Sequence, residues 1–150
     1  MERTETVTIT NMRMVYEGNR VLVQNRTDPD WPGITFPGGH VEKGESFTDS
    51  VIREVFEETG LTISAPQLCG IKDWVNEDGT RYIVLLYKTN HFSGSIISSA
   101  EGEIFWIELS EMLKMQMTPG MEKQLQVFLN DELSEHFFYK EAGSWIEVLK

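Results

Sequence analysis

Residues 38–61 read GGHVEKGESFTDSVIREVFEETGL, and they place several negative charges close together on one predicted helix. Apolar residues at helical spacing predict an amphipathic helix over residues 47–60, closed by a C-terminal glycine. On that helix Glu54 lies three and four residues before Glu57 and Glu58, which are the spacings at which like charges destabilise a helix. The last two also lie near the helix C-terminus, where the macrodipole disfavours anions. A compensating cation outside the helix is therefore expected.

The loop before this helix supplies the other parts of a metal site. Gly38 and Gly39 permit a close approach of the backbone, and Glu45 stands where the loop can carry it back towards the helical carboxylates. Arg53 lies beside the cluster and can orient a glutamate through a bidentate ion pair. The carboxylate oxygens would then converge on a hard cation such as Mg²⁺ or Mn²⁺, which would bind a diphosphate and polarise an attacking water. The competing interpretation, a solvated acidic helix face, accounts for neither the glycines nor Arg53.

The same residues match a known pattern at every defined position. Gly39 is followed by five residues, Glu45, seven residues and then REVFEETGL at residues 53–61. In this arrangement the chain resembles the Nudix hydrolases, and the segments RVLVQNR and EGEIFWIEL resemble the flanking strands of MutT-type enzymes. The resemblance implies an α/β (α+β) fold, the Nudix α/β/α sandwich with a mixed sheet between helices. It also implies a divalent cation, Mg²⁺ or Mn²⁺, as the cofactor.

The resemblance also implies roles for individual residues. Metal coordination belongs to Glu54, Glu57 and Glu58, while Arg53 orients the cluster and Glu45 is an auxiliary acid. The implied metal ligands are Gly39, Glu45, Glu54, Glu57, Glu58 and Glu103. The implied catalytic residues are Arg53, Glu54, Glu57, Glu58, Glu101 and Glu103. The choice between Glu101 and Glu103 stays open, as does the alternative that both are exposed carboxylates at the start of a strand.

Substrate contacts are expected from the segments just before the helix. The implied substrate-binding residues are Arg26, Thr35, Phe36, Gly38 and Gly39. Arg26 ends a predicted strand where MutT relatives often hold a phosphate-contacting arginine, although a surface salt bridge explains it nearly as well. Trp31 is a candidate for stacking on a purine, whereas Trp74, Tyr82 and Trp106 are interpreted as core residues.

Length and charge limit the remaining function classes. A chain of 150 residues is most simply one domain, residues 1–150, with 40% hydrophobic residues to build a core. The net charge of −11 argues against a long nucleic acid as partner, because such binding needs Lys and Arg along the phosphates. No apolar run reaches the roughly 18 residues needed to cross a bilayer, so we expect no membrane partner and a cytoplasmic location. A monomer or a homodimer is expected.

Patterns outside the helix predict strands and helices in irregular alternation. ETVTITNMRMVY and RVLVQNR are predicted strands joined at EGN, and TDPDWPGITFPGGH is predicted to be a loop. QLCGIKDWV and TRYIVLLYKTN flank NEDG, which favours a hairpin. EIFWIEL is a predicted strand, TPGMEKQLQVFLNDEL a predicted helix, and HFFYKEAGSWIEVL a predicted closing hairpin.

Together these features predict a divalent-metal-dependent hydrolase of a small-molecule nucleotide. The favoured reaction, taken from the resemblance, converts a nucleoside triphosphate to its monophosphate and pyrophosphate, with 8-oxo-dGTP as the favoured substrate. The alternatives within this class are a dinucleoside polyphosphate, ADP-ribose or a 5′-capped RNA end. An alternative of a different class is a non-catalytic nucleotide-sensing module, against which the complete set of acidic residues argues.

Overall fold

Strands and helices alternate irregularly along the chain, as the sequence predicts. The structure is a computed structural model that describes residues 2–97 and 102–150. The described strands are β1 Val7–Glu17, β2 Arg20–Arg26, β3 Gly33–Thr35, β4 Gly38–His40, β5 Thr62–Ser64, β6 Gln67–Val75, β7 Arg81–Thr89, β8 His91–Ser93, β9 Gly102–Glu108, β10 Glu135–Glu141 and β11 Ser144–Leu149. The described helices are α1 Phe47–Thr59, α2 Leu109–Met112 and α3 Met121–Leu129.

Strand β1 is the centre of a mixed sheet. The strand order is β11-β10-β6-β7-β1-β2-β3, with β4 also paired to β1 and β9 to β2. β1 is parallel to β7 and β10 is parallel to β6, while the other pairs in this sheet are antiparallel. Residues 10–12 of β1 therefore have β7 on one side and β4 on the other, and this places residues 38–40 beside the middle of the sheet.

Helices cover both faces of this sheet and create two hydrophobic cores. Successive residues of a strand point to opposite faces, so Leu22 belongs to the core under α1 and Val23 to the core under α3. α1 contributes the fully buried Val51 and α3 the fully buried Phe128. The predicted α/β/α sandwich, a mixed sheet between helices, is confirmed.

The helix predicted over residues 118–133 is shorter, Met121–Leu129, and the other differences from the predicted elements concern very short ones. β3 and β4 lie inside the segment that the sequence predicts to be a loop, and β5, β8 and α2 were not predicted. Each of these has three or four residues, too few to show a periodic pattern. Pairing with β1 and β2, rather than local sequence preference, makes β4 and β3 extended. Within the described residues, no helix is both long and apolar enough to cross a membrane.

Candidate active site

Helix α1 presents the acidic residues in a fixed position because both of its ends are capped. The Ser46 side chain accepts a hydrogen bond of 3.1 Å from the Asp49 backbone N–H at the start of the helix. Gly60 ends the helix in the left-handed conformation, with φ 82°, and its N–H donates to the Phe56 carbonyl. The buried Val51 and Val55 fix the rotation of the helix, which leaves Glu57 56% exposed but Glu54 and Glu58 only 15% and 13% exposed.

Arg53 binds three carboxylates at once. Its Nε and Nη2 donate to the two oxygens of Glu45 at 2.7 and 2.9 Å, which is the bidentate pair expected from the sequence. Its Nη1 donates to Glu54 at 2.9 Å and to Glu57 at 3.1 Å, and Nη2 also reaches the His40 carbonyl. The hydrogen bonds from Arg53 lower the pKa of Glu45 to about 2. Arg53 thus joins the loop before α1 to the helical glutamates.

Gly39 lies directly against the carboxylate of Glu54. A Cβ atom built on Gly39 would collide with the carboxylate carbon and one of its oxygens, and it would lie 2.7 Å from Glu54 Cγ. Any side chain at this position would therefore displace Glu54. The close approach also brings the Gly39 backbone next to a carboxylate that lines the cavity.

Glu58 forms an ion pair with Arg13, a buried residue that the sequence patterns did not indicate. Arg13 lies in β1 with its side chain 1% exposed, and its Nη2 donates to Glu58 Oε2 at 2.7 Å. Its Nη1 donates to Asn11 Oδ1 at 2.9 Å, and Asn11 donates in turn to the Ser50 hydroxyl of α1. This buried network ties the C-terminal turn of α1 to the central strand.

Burial and neighbouring charge act on Glu58 in opposite directions. The pKa of Glu58 is raised to about 7, chiefly because burial disfavours the charged form. Arg13 lowers this pKa, whereas the adjacent Glu54 carboxyl, within hydrogen-bonding range, raises it again. Burial lowers the pKa of Arg13 itself. Two carboxyl groups, 15% and 13% exposed, are therefore held side by side.

The donor set fits a hard divalent cation. Glu54 and Glu58 lie side by side and both line a cavity, together with the backbone of Gly38 and Gly39. These groups offer oxygen donors, the ligands that such ions prefer. In residues 2–97 and 102–150, no three Asp, Glu, His or Cys side chains are grouped tightly enough to form a complete metal-binding set. Arg53 explains this arrangement, because it draws Glu45 and Glu57 towards its own guanidinium group.

The cavity beside these glutamates has a volume of about 1400 Å³. Its lining contains every residue that the sequence assigned to substrate binding: Arg26, Thr35, Phe36, Gly38 and Gly39. Trp31, the candidate for base stacking, is 42% exposed and also lines it. Arg26 also forms a long ion pair of 3.4 Å with Asp28. The salt bridge and the position at the substrate cavity, which the sequence offered as alternatives for Arg26, are therefore both present. A volume of this size is large enough to accept a nucleotide.

Other predicted residues lie outside this lining. Glu103 is exposed on β9, opposite Asn25 of β2, and it is not among the cavity residues. Glu101 lies outside the described residues. Glu57 is 56% exposed and reaches the cluster through Arg53. The structure therefore brings Glu45, Arg53, Glu54, Glu57 and Glu58 into one connected group and leaves Glu103 apart from it.

The interpretation of the aromatic residues as core needs correction for two of them. Trp74 and Tyr82 are stacked, with ring centroids 4.5 Å apart, and both line the cavity while packing against the core. They are at the cavity because alternate residues of the paired strands β6 and β7 point to the same face of the sheet. Trp106 behaves as predicted, packing against Phe92 at 5.1 Å.

Comparisons with known proteins agree with this geometry. The model of the NUDIX domain family matches residues 6–128. An uncharacterised Nudix hydrolase, YvcI of Bacillus subtilis, is 32% identical over 117 residues, covering 75% of this chain and 72% of that protein. A putative 8-oxo-dGTP diphosphatase of the same organism is 26% identical over 144 residues, covering 89% of each chain.

Solved structures give the same result for the fold. The crystal structure of a mutator MutT protein from Bacillus halodurans superposes with a TM-score of 0.79 and 26% sequence identity. The match covers 95% of this chain and 97% of that one. Relatives that match over shorter segments include an ADP-ribose pyrophosphatase of Methanocaldococcus jannaschii and an RNA pyrophosphohydrolase of Brucella ovis.

Proposed function

The chain belongs to the Nudix hydrolases, and from this premise we propose that it converts a nucleoside triphosphate to the monophosphate and pyrophosphate with the help of Mg²⁺ or Mn²⁺. A pyrophosphohydrolase of the MutT-like kind is the activity that the family supports. The nucleoside triphosphate substrate and the choice of Mg²⁺ or Mn²⁺ go beyond what membership of the family establishes.

One observation carries the proposal. Glu54 and Glu58 lie next to each other on the wall of a cavity, and each is held by its own arginine, Arg53 or Arg13. Each arginine fixes a carboxylate that would otherwise have several rotamers, so the oxygen donors are organised before an ion arrives. Two carboxylates side by side repel each other, and a bound cation would remove that repulsion.

The residues have separate tasks in the proposed reaction. Glu54 and Glu58 would hold the cation with Glu57 and Glu45 as nearby acids, and a bound ion would neutralise phosphate charge and activate water. Arg53 and Arg13 keep the carboxylates oriented. The absence of a side chain at Gly39 lets the Glu54 carboxylate lie against the backbone of β4, at the wall of the cavity.

Other parts of the chain would hold the substrate and supply a further acid. Arg26 lies on the cavity wall, where its guanidinium could bind a phosphate oxygen in exchange for its long contact with Asp28. Glu103 and Glu101 remain candidates for a further acid.

The favoured substrate remains 8-oxo-dGTP. Its support is the relative named as a putative 8-oxo-dGTP diphosphatase, which matches along nearly the whole of both chains. The relatives named for ADP-ribose and RNA match only 47% and 54% of this chain. The acidic charge of −11 also disfavours a long RNA partner.

A product analysis tests the proposal. Purified protein is incubated with 8-oxo-dGTP, the four normal deoxynucleoside triphosphates, ADP-ribose and a dinucleoside tetraphosphate, each with Mg²⁺ or Mn²⁺. We expect a triphosphate to yield monophosphate and pyrophosphate in equal amounts, with 8-oxo-dGTP fastest. Glu54→Gln and Glu58→Gln should lower kcat by about 100-fold or more, because each removes a metal-binding charge. Release of diphosphate and inorganic phosphate, or faster turnover of ADP-ribose, would overturn the proposed reaction.

A further inference from the structure

The cavity is also lined by side chains of β6, β10 and β11 that the proposed hydrolysis does not use. Trp74, Phe138 and Trp145 supply ring surfaces, and Lys72 and Glu147 supply one charge of each sign. Aromatic surfaces combined with a few polar groups are the usual composition of a site for a planar organic ligand. None of these five residues belongs to the glutamate cluster on α1.

Glu147 is held as a hydrogen-bond acceptor by a buried histidine. His136 is 0% exposed, and its Nε2 lies 2.8 Å from Glu147 Oε1. The other ring nitrogen, Nδ1, is buried with no hydrogen-bond partner among the described residues. Burial lowers the pKa of His136 and favours the neutral ring, whose one proton belongs on Nε2 where a partner exists. The imidazole therefore donates to Glu147 and fixes the direction of its carboxylate.

Lys72 stands near this carboxylate with its donors free of acidic partners. Its Nζ lies 5.0 Å from the ring centroid of Phe138 and 5.5 Å from that of Trp74. Burial lowers the pKa of Lys72 to about 8, while the charge of Glu147 raises it. In the described part of the chain, Lys72 forms no ion pair within 4.0 Å. Ring faces attract the ammonium without using up its N–H donors.

We propose that Lys72 and Glu147 recognise the edge of a guanine-type base, as the base-binding part of the nucleotide site proposed above. Guanine presents a carbonyl oxygen next to two N–H donors, at N1 and the C2 amino group. The Lys72 ammonium donates to the carbonyl oxygen, and the Glu147 carboxylate accepts from both donors. 8-Oxoguanine keeps this edge, so it binds in the same way. The rings of Trp74 and Phe138 provide the apolar surface for the base.

The other bases do not complete this pattern. Adenine places a ring nitrogen acceptor where the carboxylate needs a donor, and cytosine places two acceptors there. Thymine offers one N–H between two carbonyl oxygens, so one of its oxygens faces the carboxylate. A site that pairs buried polar groups with one ligand rejects analogues that leave those groups unpaired. Guanine nucleotides should therefore be preferred by about tenfold or more.

Steady-state kinetics with matched variants test the roles of the two residues. kcat/KM is measured for dGTP, dATP, dCTP and dTTP with the wild-type protein, Glu147→Gln, Lys72→Met and Glu141→Gln. We expect Glu147→Gln and Lys72→Met to lower kcat/KM for dGTP by about tenfold or more, mainly through KM, and to change the pyrimidine values by less than about threefold. Glu141 is exposed on β10 and does not line the cavity, so Glu141→Gln should leave all four values unchanged.

A binding measurement separates this inference from the proposed reaction. Quenching of tryptophan fluorescence is followed while GMP or AMP is added without any divalent cation. Tighter binding of GMP than AMP, lost in Glu147→Gln, supports base recognition even if no triphosphate is hydrolysed, in which case only the proposed reaction fails. Hydrolysis without a preference for guanine, or an equal loss for all four nucleotides in Glu147→Gln, would overturn the base-recognition inference and leave the reaction standing.

Discussion

Gly39 and Glu54 pack so closely that a side chain at Gly39 would collide with the Glu54 carboxylate. The absence of a side chain at Gly39 is what allows the Glu54 carboxylate to lie against the backbone of β4. The neighbouring Gly38 has more space, because a Cβ there would meet only the Asn11 carbonyl, at 3.1 Å. A side chain at Gly39 would displace a carboxylate, whereas a side chain at Gly38 would meet only a backbone oxygen. The two substitutions should therefore have different effects.

We predict that Gly39→Ala lowers kcat far more than it lowers stability. The added methyl group displaces Glu54, while β4 and α1 keep their other contacts. The expected loss in kcat is about 100-fold, with a destabilisation of about 1 kcal/mol. Gly38→Ala is the matched control, for which we expect a loss in kcat of less than about tenfold. Equal losses in the two variants would show that the contact with Glu54 does not matter for turnover.

Arg13 is the second residue whose removal has a defined consequence. Arg13→Met leaves Glu58 half-enclosed without its cation, and breaking a pair of this kind by removing one partner costs about 3 kcal/mol or more. Arg13→Lys keeps the charge but cannot bind Asn11 and Glu58 together, so we expect a smaller loss of stability and an intermediate kcat. Denaturant unfolding and kcat are measured on both variants. A fully stable and active Arg13→Met protein would contradict the positioning role.

At the scale of secondary-structure elements, the parallel pair β6–β10 brings two acids together. Asp73 of β6 is 3% exposed, and Glu135 stands at the start of β10. The pKa of Glu135 is raised to about 7 by hydrogen bonding with Asp73, by burial and by the Asp73 charge, whereas Lys150 and Arg81 oppose the shift. The folded state therefore binds a proton more tightly than the unfolded chain, so this pair loses stability as pH rises from about 4.5 to about 7.

We predict that Glu135→Gln stabilises the protein at pH 8 and changes it little at pH 5. The amide keeps a hydrogen-bond donor for Asp73 and removes the charge that repels it at high pH. The expected rise in Tm at pH 8 is about 2 °C, because solvent screens part of the repulsion. Glu141→Gln on the same strand, without such a neighbour, should show no difference between the two pH values. A larger Tm gain at pH 5 than at pH 8 would contradict the assigned shift.

The elements also show which features the sequence could predict. Helix α1, its C-terminal glycine and its acidic residues were predictable because Gly60 and the glutamates are close to one another in the chain. Arg13 was missed because its partner Glu58 is 45 residues away, and only the sheet brings the two together. Lys72 and Glu147 were missed for the same reason, since they lie on β6 and β11 with β10 between them. A basic residue within the β1 segment was the one available signal for Arg13.

At the scale of the whole molecule, the net charge of −11 is the feature through which we expect cations to affect stability. Self-repulsion of a net anionic surface acts against the compact state, and Glu54 and Glu58 concentrate part of it at one place. Screening by monovalent salt would relieve the diffuse repulsion everywhere, whereas a divalent ion bound at one site acts only through that site. The two effects can be separated by comparing cations at constant ionic strength.

We therefore predict that Mg²⁺ or Mn²⁺ raises Tm beyond the effect of an equal ionic strength of NaCl. An ion that binds only the folded state stabilises it by mass action, about 2.7 kcal/mol at a concentration one hundred times its Kd, which corresponds to about 5 °C or more for a chain of this size. The double variant Glu54→Gln, Glu58→Gln should lose most of this increment. Glu111→Gln with Glu122→Gln removes the same charge from exposed positions outside the cavity, and its increment should equal that of the wild type. An increment that survives in the first double variant and disappears in the second would place the ion away from α1, and the proposed roles of Glu54 and Glu58 would be wrong.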